Sequence, residues 1–363
     1  MFFTTRNRHA QHEEKRKAAP SRRSDTILTA LLFVFLFAAL PAWAGDVWDG
    51  KSAVSFDSGK GTSAEPYVIK TGAQLTYLAA QVNSGINYAD TFFRLGGGID
   101  LNGKPWTPIG KESTPFGGTF DGHDYTIDRL RVDVTDGSED YGLFGYIGKG
   151  GTVKNVKLTG VSITGNGKYV GGLTGNSLGT VETCSAAGVV SGVDGVGGLA
   201  GWNAGTVKNC SAAVDVSGNN EVGGLVGDNE GGTVEKCSAT GVISGHDGVG
   251  GLVGYNGGEA GGTVKDSTAS GGVKGNDKAG GLVGDNNSGG TVDNCVSGGN
   301  VEGNTNLGAL AGSNGGGITN STVYDDVTVT DGTGKRPVGP GSLVGGGTAT
   351  GVTIAPRPAV PGA

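Results

Sequence analysis

What the chain lacks narrows it first. Among 363 residues only four are histidine and four are cysteine. No C-x-x-C pair is present, so a zinc site has no support from spacing. The run His12-Glu13-Glu14-Lys15-Arg16 opens like H-E-x-x-H but has no second histidine. G-x-S-x-G, P-loop and EF-hand patterns are missing as well. Glycine shows no G-x-y triplet and proline is not enriched, which excludes collagen and argues against low-complexity disorder. Beyond residue 44 only one stretch has helical apolar spacing, so a helical solenoid fails.

The N-terminus reads as a targeting segment. Arg6, Arg8, Lys15, Arg16, Lys17, Arg22 and Arg23 form a basic region, and an apolar run follows from Ile27 to Leu40. Pro41 and the triplet Ala42-Trp43-Ala44 complete the order expected of a signal peptide with an A-x-A cleavage site. A run of this length is short for a membrane span. Residues 1–44 are therefore expected to be a signal peptide; a retained N-terminal anchor is the alternative. Arg22-Arg23 hints at twin-arginine export, but Asp25 and Thr26 follow where that signal wants bulky apolar residues, so the general secretory route is favoured.

Cleavage removes seven basic and three acidic residues from totals of 27 and 34, leaving a net charge of −11. No basic stripe remains to neutralise phosphates, which argues against nucleic acid as a partner.

What the chain has is glycine, 75 residues of it, roughly three times the usual share. The glycines mark a repeat. Gly171-Gly172-Leu173-Thr174-Gly175 returns at Gly197–Gly201, Gly223–Gly227, Gly250–Gly254 and Gly280–Gly284, with looser copies around Leu143, Leu310 and Leu343. The eight leucines are spaced 30, 26, 26, 27, 30, 28 and 33 residues apart. Gly-Thr-Val recurs at 151, 179, 205, 232, 262 and 290, and a short Val-rich piece such as Val214-Asp215-Val216 precedes each turn. Each unit thus reads as three short strands separated by glycine turns, one coil of a parallel β-helix. A propeller blade would need longer strands and about 40 residues per repeat.

Individual positions follow from this reading. Each central leucine should point inward and form a ladder, each buried side chain being worth about 1.5–3 kcal/mol. The glycines beside it should permit positive φ at corners and close backbone approach. Asn203, Asn229, Asn256, Asn286 and Asn314 share one slot and suit an amide ladder, whereas Asn176-Ser177 is shifted in the first copy. Cys184, Cys210, Cys237 and Cys295 share another, filled elsewhere by Val156 and Ser267. That exchange suggests small buried free thiols; one disulfide is the alternative, although parallel stacked Cβ vectors rarely suit the bond. Thr71 and Gln74 form a capping-box pair ahead of Leu75, Leu78, Ala79 and Val82, a short helix suited to cap the solenoid.

With the residues set out, the chain resembles bacterial GLUG-motif repeat proteins, found among surface adhesin-like proteins and beside some IgA-cleaving peptidases. The repeated Gly-Gly-Leu-Val-Gly carries the resemblance, with Pro66-Tyr67-Val68-Ile69, Ile99-Asp100-Leu101-Asn102-Gly103, Trp106-Thr107-Pro108-Ile109-Gly110 and Phe116-Gly117-Gly118-Thr119-Phe120-Asp121-Gly122. It covers most of residues 48–345. It implies an all-β fold, a right-handed parallel β-helix on an exported or surface protein, and no shared reaction. The usual handedness of parallel crossovers agrees.

The expected organisation is a signal peptide at 1–44, an N-terminal cap and first coils at 45–140, glycine-rich GLUG-type repeats at 141–345 and a Pro-rich tail at 346–363. Two histidines remain after export. His246 lies in a turn and reads as a solvated turn residue; His123 sits in a hairpin-like turn, Asp121-Gly122-His123-Asp124. With Asp128, that cluster is the one candidate for acid–base chemistry on a polysaccharide, which needs two carboxylates at a defined separation. No catalytic, cofactor or metal residue is assigned, and the chain is not expected to be an enzyme. A binding face, if present, should lie at the variable slot near the Asn ladder, with Ser177, Trp202, Asp228, Tyr255, Asp285 and Ser313. The expected function is adhesin-like binding or display by a secreted or cell-surface protein, with extracellular glycans or matrix proteins as partners. A polysaccharide-acting enzyme and an accessory module of a larger secreted system are the alternatives; so is a periplasmic location.

Overall fold

The computed structural model describes residues 45–134 and 139–359, and every count below refers to these residues. The expected signal peptide at 1–44 lies outside them. The described chain is a parallel β-solenoid of about ten coils with one short α-helix near its N-terminus. Four sheets run along it, with 17, 10, 7 and 8 strands. Nearly all pairings are parallel between successive coils; the exception is the C-terminal hairpin of Thr328–Asp331 with Gly334–Pro337.

Each coil carries more strands than the three expected. In one representative coil they are Thr206–Lys208, Ser211–Ser217, Asn220–Gly223 and Val226–Glu230. The Gly-Gly-Leu motif is not one strand. It breaks between its two glycines, the first ending one strand and the second opening a bend through the leucine. The apolar residue ahead of the motif (Val170, Val196, Val222, Val249) belongs to a strand of its own that the sequence reading merged with a turn.

The motif glycines are there for close approach. A Cβ on Gly224 would lie 2.2 Å from the carbonyl oxygen of Gly251, so backbone packs directly on backbone between coils. None of the paired motif glycines has positive φ, contrary to the expectation for corners. That conformation falls largely on other residues: Asn155, Thr183, Asn209, Lys236, Asp266, Asn294 and Asn320 at one corner have φ between 49° and 54°.

The cysteine slot follows that corner directly, and its side chain caps it. Cys210 Sγ accepts the Cys184 amide at 3.3 Å and donates to the Lys208 carbonyl at 3.1 Å. Ser267 makes the same two bonds, from the Cys237 amide at 3.0 Å and to the Lys265 carbonyl at 2.7 Å. The slot is thus a hydrogen-bonding link between coils as well as a filler, which is why serine replaces cysteine there. All four cysteines are free and buried. Burial pushes the Cys295 thiol up to about 12 and raises Cys184 and Cys237 too.

The leucine ladder forms as expected: Leu143, Leu173, Leu199, Leu225, Leu252, Leu282 and Leu310 are fully buried. Leu343, in the last copy, is only partly covered. At the N-terminal end the core is aromatic instead. Phe93, Phe116, Phe144 and Phe120 pack in sequence with ring centroids 6.1, 5.2 and 5.4 Å apart. The helix Gly72–Asn83 joins this end through buried Leu75, Leu78, Ala79 and Val82. Thr71 caps it by accepting the Gln74 amide at 3.2 Å. The reciprocal bond differs from a capping box: Gln74 Oε1 takes the Lys70 amide at 2.7 Å, one residue earlier. Coiling continues past residue 345, where Thr353–Ala355 pairs with Thr322–Tyr324. Arg357 then clamps that end, pairing with Asp326 at 2.8 and 2.9 Å and lying 4.6 Å over the Tyr324 ring.

The outside of the ten-stranded sheet carries a pattern absent from the inside. In register along successive coils stand Arg94, Asp121, Lys154, Glu182, Lys208, Glu235, Lys265 and Asp293. The sign alternates at every step. Contacts of 3.5, 3.0 and 3.4 Å join Lys154 to Asp121, Lys208 to Glu182 and Lys265 to Glu235.

Candidate binding face

The eight-stranded sheet positions the candidate face. Its strands have the form Ala200-Gly201-Trp202-Asn203. The fourth residue builds the Asn ladder. Asn203 donates to Asn229 at 2.7 Å, Asn229 to Asn256 at 2.8 Å, Asn256 to Asn286 at 2.7 Å and Asn286 to Asn314 at 2.7 Å. An amide is both donor and acceptor, so identical residues satisfy one another in a parallel stack. Asn203, Asn229, Asn256 and Asn286 are fully buried, so the ladder is structural.

The third residue makes the variable row. In register these are Tyr146, Asn176, Trp202, Asp228, Tyr255, Asp285 and Ser313. Ser177, expected in this row, pairs with Asn203 and so belongs to the ladder; Asn176 and Tyr146 take the places ahead of Trp202. The shifted Asn-Ser order of the first copy hid this. Trp202, Tyr255 and Tyr146 are half-buried, and Asp228 is 7% exposed.

A second row from the seven-stranded sheet runs beside it: Asp140, Tyr169, Gly195, Glu221, Gly248, Lys278 and Asn306, all with φ between 47° and 75°. The rows touch. Asn176 donates to Asp140, and Lys278 Nζ lies 3.0 Å from Asp285. Burial pushes Asp140 up to about 6, against the Asn176 bond, with Glu139 and Glu112 adding to the rise. Asp228 goes further. Burial pushes it up to about 8, Glu221 and Glu230 push the same way, and its Oδ1 has no hydrogen-bond partner. Beside Tyr255 the surface hollows to about 360 Å³, lined also by Gly258, Glu259, Asn287, Ser288 and Gly289.

The other candidates do not gather. Asp121 and Asp128 lie in different sheets, so the expected hairpin-like turn is a corner between sheets. Asp121 is occupied by Asn155 at 2.9 Å and by the His123 amide at 2.8 Å. Burial opposes its ionisation, but these bonds and Lys154 outweigh it and hold the carboxyl low, the wrong direction for a general acid. Asp128 is held by Thr159 and Arg129, and Asp124 by Lys157. His123 and His246 are exposed. No group of three or more His, Cys, Asp or Glu able to hold a metal occurs among the described residues.

This geometry is that of a parallel β-solenoid, three of whose coils carry the GLUG motif. The GLUG motif model matches residues 192–217, 218–244 and 245–274, three consecutive coils. Over 171 residues the chain is 34% identical to a protein provisionally described as a Gly-rich membrane protein from Evansella cellulosilytica, covering 45% of this chain and 19% of that one. Over 156 residues it is 34% identical to Halomucin from Haloquadratum walsbyi, covering 40% of this chain and 2% of that one. The chain thus spans a small part of both relatives. Among solved structures, a provisionally described immunoglobulin A1 protease from Bacteroides ovatus superposes with a TM-score of 0.58. That match has 22% identity and covers 83% of this chain and 87% of that one; it shows the shared fold.

Proposed function

We propose that this chain is an exported, surface-exposed β-solenoid that binds extracellular glycans or matrix proteins in an adhesin-like role. The observation that carries the reading is the variable row. On a scaffold whose inner columns repeat the same residue, one outer column places aromatic and polar side chains in fixed register on a rigid sheet. Rigid presentation of half-buried aromatics beside polar groups is how binding surfaces limit their entropic cost. The basic-apolar-small N-terminus and the net charge of −11 without it support export and argue against nucleic acid. No helix among the described residues is long and apolar enough to cross a membrane. The names of the two sequence relatives, a membrane protein and a halomucin, fit a cell-envelope setting.

The test is expression of the full chain with a C-terminal tag in a Gram-negative host, followed by fractionation and external protease treatment. Processed protein in the medium, or cleaved on intact cells, is the expected result, with binding on glycan and matrix arrays. Retention in a protected periplasmic fraction contradicts surface display.

A further inference from the structure

From the Asp121 coil to the Lys265 coil the outer surface repeats every two coils, not every one. The charge column shows it on the ten-stranded sheet, and the variable row shows it independently on the eight-stranded sheet. Three coils that carry an acid in the first column, at Asp121, Glu182 and Glu235, carry an aromatic in the second, at Tyr146, Trp202 and Tyr255, and the order ends at the next acid coil, where Asp293 goes with Ser313. Coils with Lys154, Lys208 and Lys265 carry Asn176, Asp228 and Asp285 instead. In two of the aromatic coils the neighbouring row has glycine, Gly195 and Gly248, where the lysine coils have Tyr169, Glu221 and Lys278.

Ion pairing accounts for the charge column, because like charges on adjacent strands repel. It does not account for the aromatics. Adjacent aromatics across two strands attract, so packing within the protein gives no reason to skip every second coil. A ligand with a matching period supplies such a reason. Two coil rises put successive aromatics about 9.5 Å apart. An extended β-1,4-linked glycan presents the same ring face at every second sugar, a comparable interval. The apolar face of a pyranose ring stacks on an aromatic side chain, and its hydroxyls need polar partners between the stacks. Asp228 stands between Trp202 and Tyr255 with an unpartnered, buried Oδ1. Glu221 and Glu230 beside it repel a polyanion, whereas Asp285 is paired with Lys278.

We infer that the row from Tyr146 to Tyr255 binds a neutral, extended β-1,4-linked glycan lying along the solenoid axis, its alternate sugars stacked on Tyr146, Trp202 and Tyr255. This rests on the binding reading above and names its ligand class.

The test is calorimetric titration of the full chain with cello- and chito-oligosaccharides of two, four and six sugars. Variants are Trp202→Ala, Trp202→Phe, Tyr255→Ala and, as a control away from the row, Val242→Ser. At least one hexasaccharide is expected to bind, with affinity rising from two to four to six sugars. Trp202→Ala and Tyr255→Ala should each weaken it about tenfold, the loss of roughly one stacking contact. Trp202→Phe should recover most of the binding, which separates stacking from folding, and Val242→Ser should change nothing. Hexasaccharide binding that survives both alanine variants overturns the inference. So does binding only to α-linked or polyanionic glycans or to matrix proteins, which leaves the broader binding reading standing. Binding to none of these overturns both.

Discussion

Inside the solenoid each coil repeats its neighbour; outside, each coil repeats its neighbour but one. Leucine stacks on leucine, asparagine on asparagine and cysteine on cysteine or serine. On the surface lysine stacks on glutamate and aromatics alternate with polar residues. Parallel, in-register stacking brings equivalent positions together, so a column can hold one residue type only if that type complements itself. Apolar side chains do, and so do groups that both donate and accept a hydrogen bond. A charge does not, so a charged column has to alternate.

The largest break of the inner pattern should come from its apolar column. Leu225→Ala leaves a cavity between two flanking coils that are fully formed, and about 2–5 kcal/mol of stability should be lost in denaturant unfolding. Loss below about 1 kcal/mol would mean that the leucine ladder is not the core. Asn229→Ala comes next. It strands the Asn203 amide and the Asn256 carbonyl oxygen in a buried column, and a cost of about 2–3 kcal/mol is expected from two orphaned groups. An equally large loss from Asn314→Ala would count against that account, since that change strands the buried Asn286 amide but otherwise only the carbonyl of exposed Thr348.

The third prediction concerns pH. Burial pushes Asp228 up to about 8 in the folded chain, against about 4 unfolded. Between those values the folded chain holds a proton that the unfolded chain has released. Stability therefore falls as pH rises from about 4 to about 8 and then levels off. Asp140, at about 6, adds to the fall in the lower part of that window. Melting should occur at lower temperature at pH 8 than at pH 5, and Asp228→Asn should narrow the gap. A gap unchanged by the substitution would remove Asp228 as its source. The smallest effect is expected at the cysteine slot. Cys210→Ser keeps both hydrogen bonds that Ser267 makes in the same place, so the change should stay within about 1 kcal/mol. Thiol titration of the chain purified under oxidising conditions should find four free thiols after denaturation and almost none before.

How much of this was legible depended on whether a column repeats one residue. The leucine, asparagine and cysteine columns stand out because the same residue returns, and they placed the coil, the core and the ladder. Strand number did not follow, because Gly-Gly-Leu looks like one motif while the backbone turns within it. Nor did the role of those glycines, where the contact that forbids a Cβ comes from the next coil. Trp202, Asp228, Tyr255, Asp285 and Ser313 were found as a variable slot. Tyr146 and Asn176 keep the spacing of Trp202 from its leucine, but Ile147 and Ser177 replace the asparagine that marks the slot in later copies. The alternation of charge is legible in the sequence, where the residue after Gly-Thr-Val reads Lys, Glu, Lys, Glu, Lys, Asp.

The most direct test of the outer order is the stability of Lys208→Glu at low and high salt, with Lys208→Gln as the neutral reference. Lys208→Glu puts three acids in a row with Glu182 and Glu235. At low salt it should be about 1 kcal/mol less stable than wild type, with Lys208→Gln between them. At about 1 M salt, where screening acts within roughly 3 Å, the three should converge. A Lys208→Glu chain as stable as wild type at low salt would contradict the claim that charge complementarity sets the alternation of the charge column.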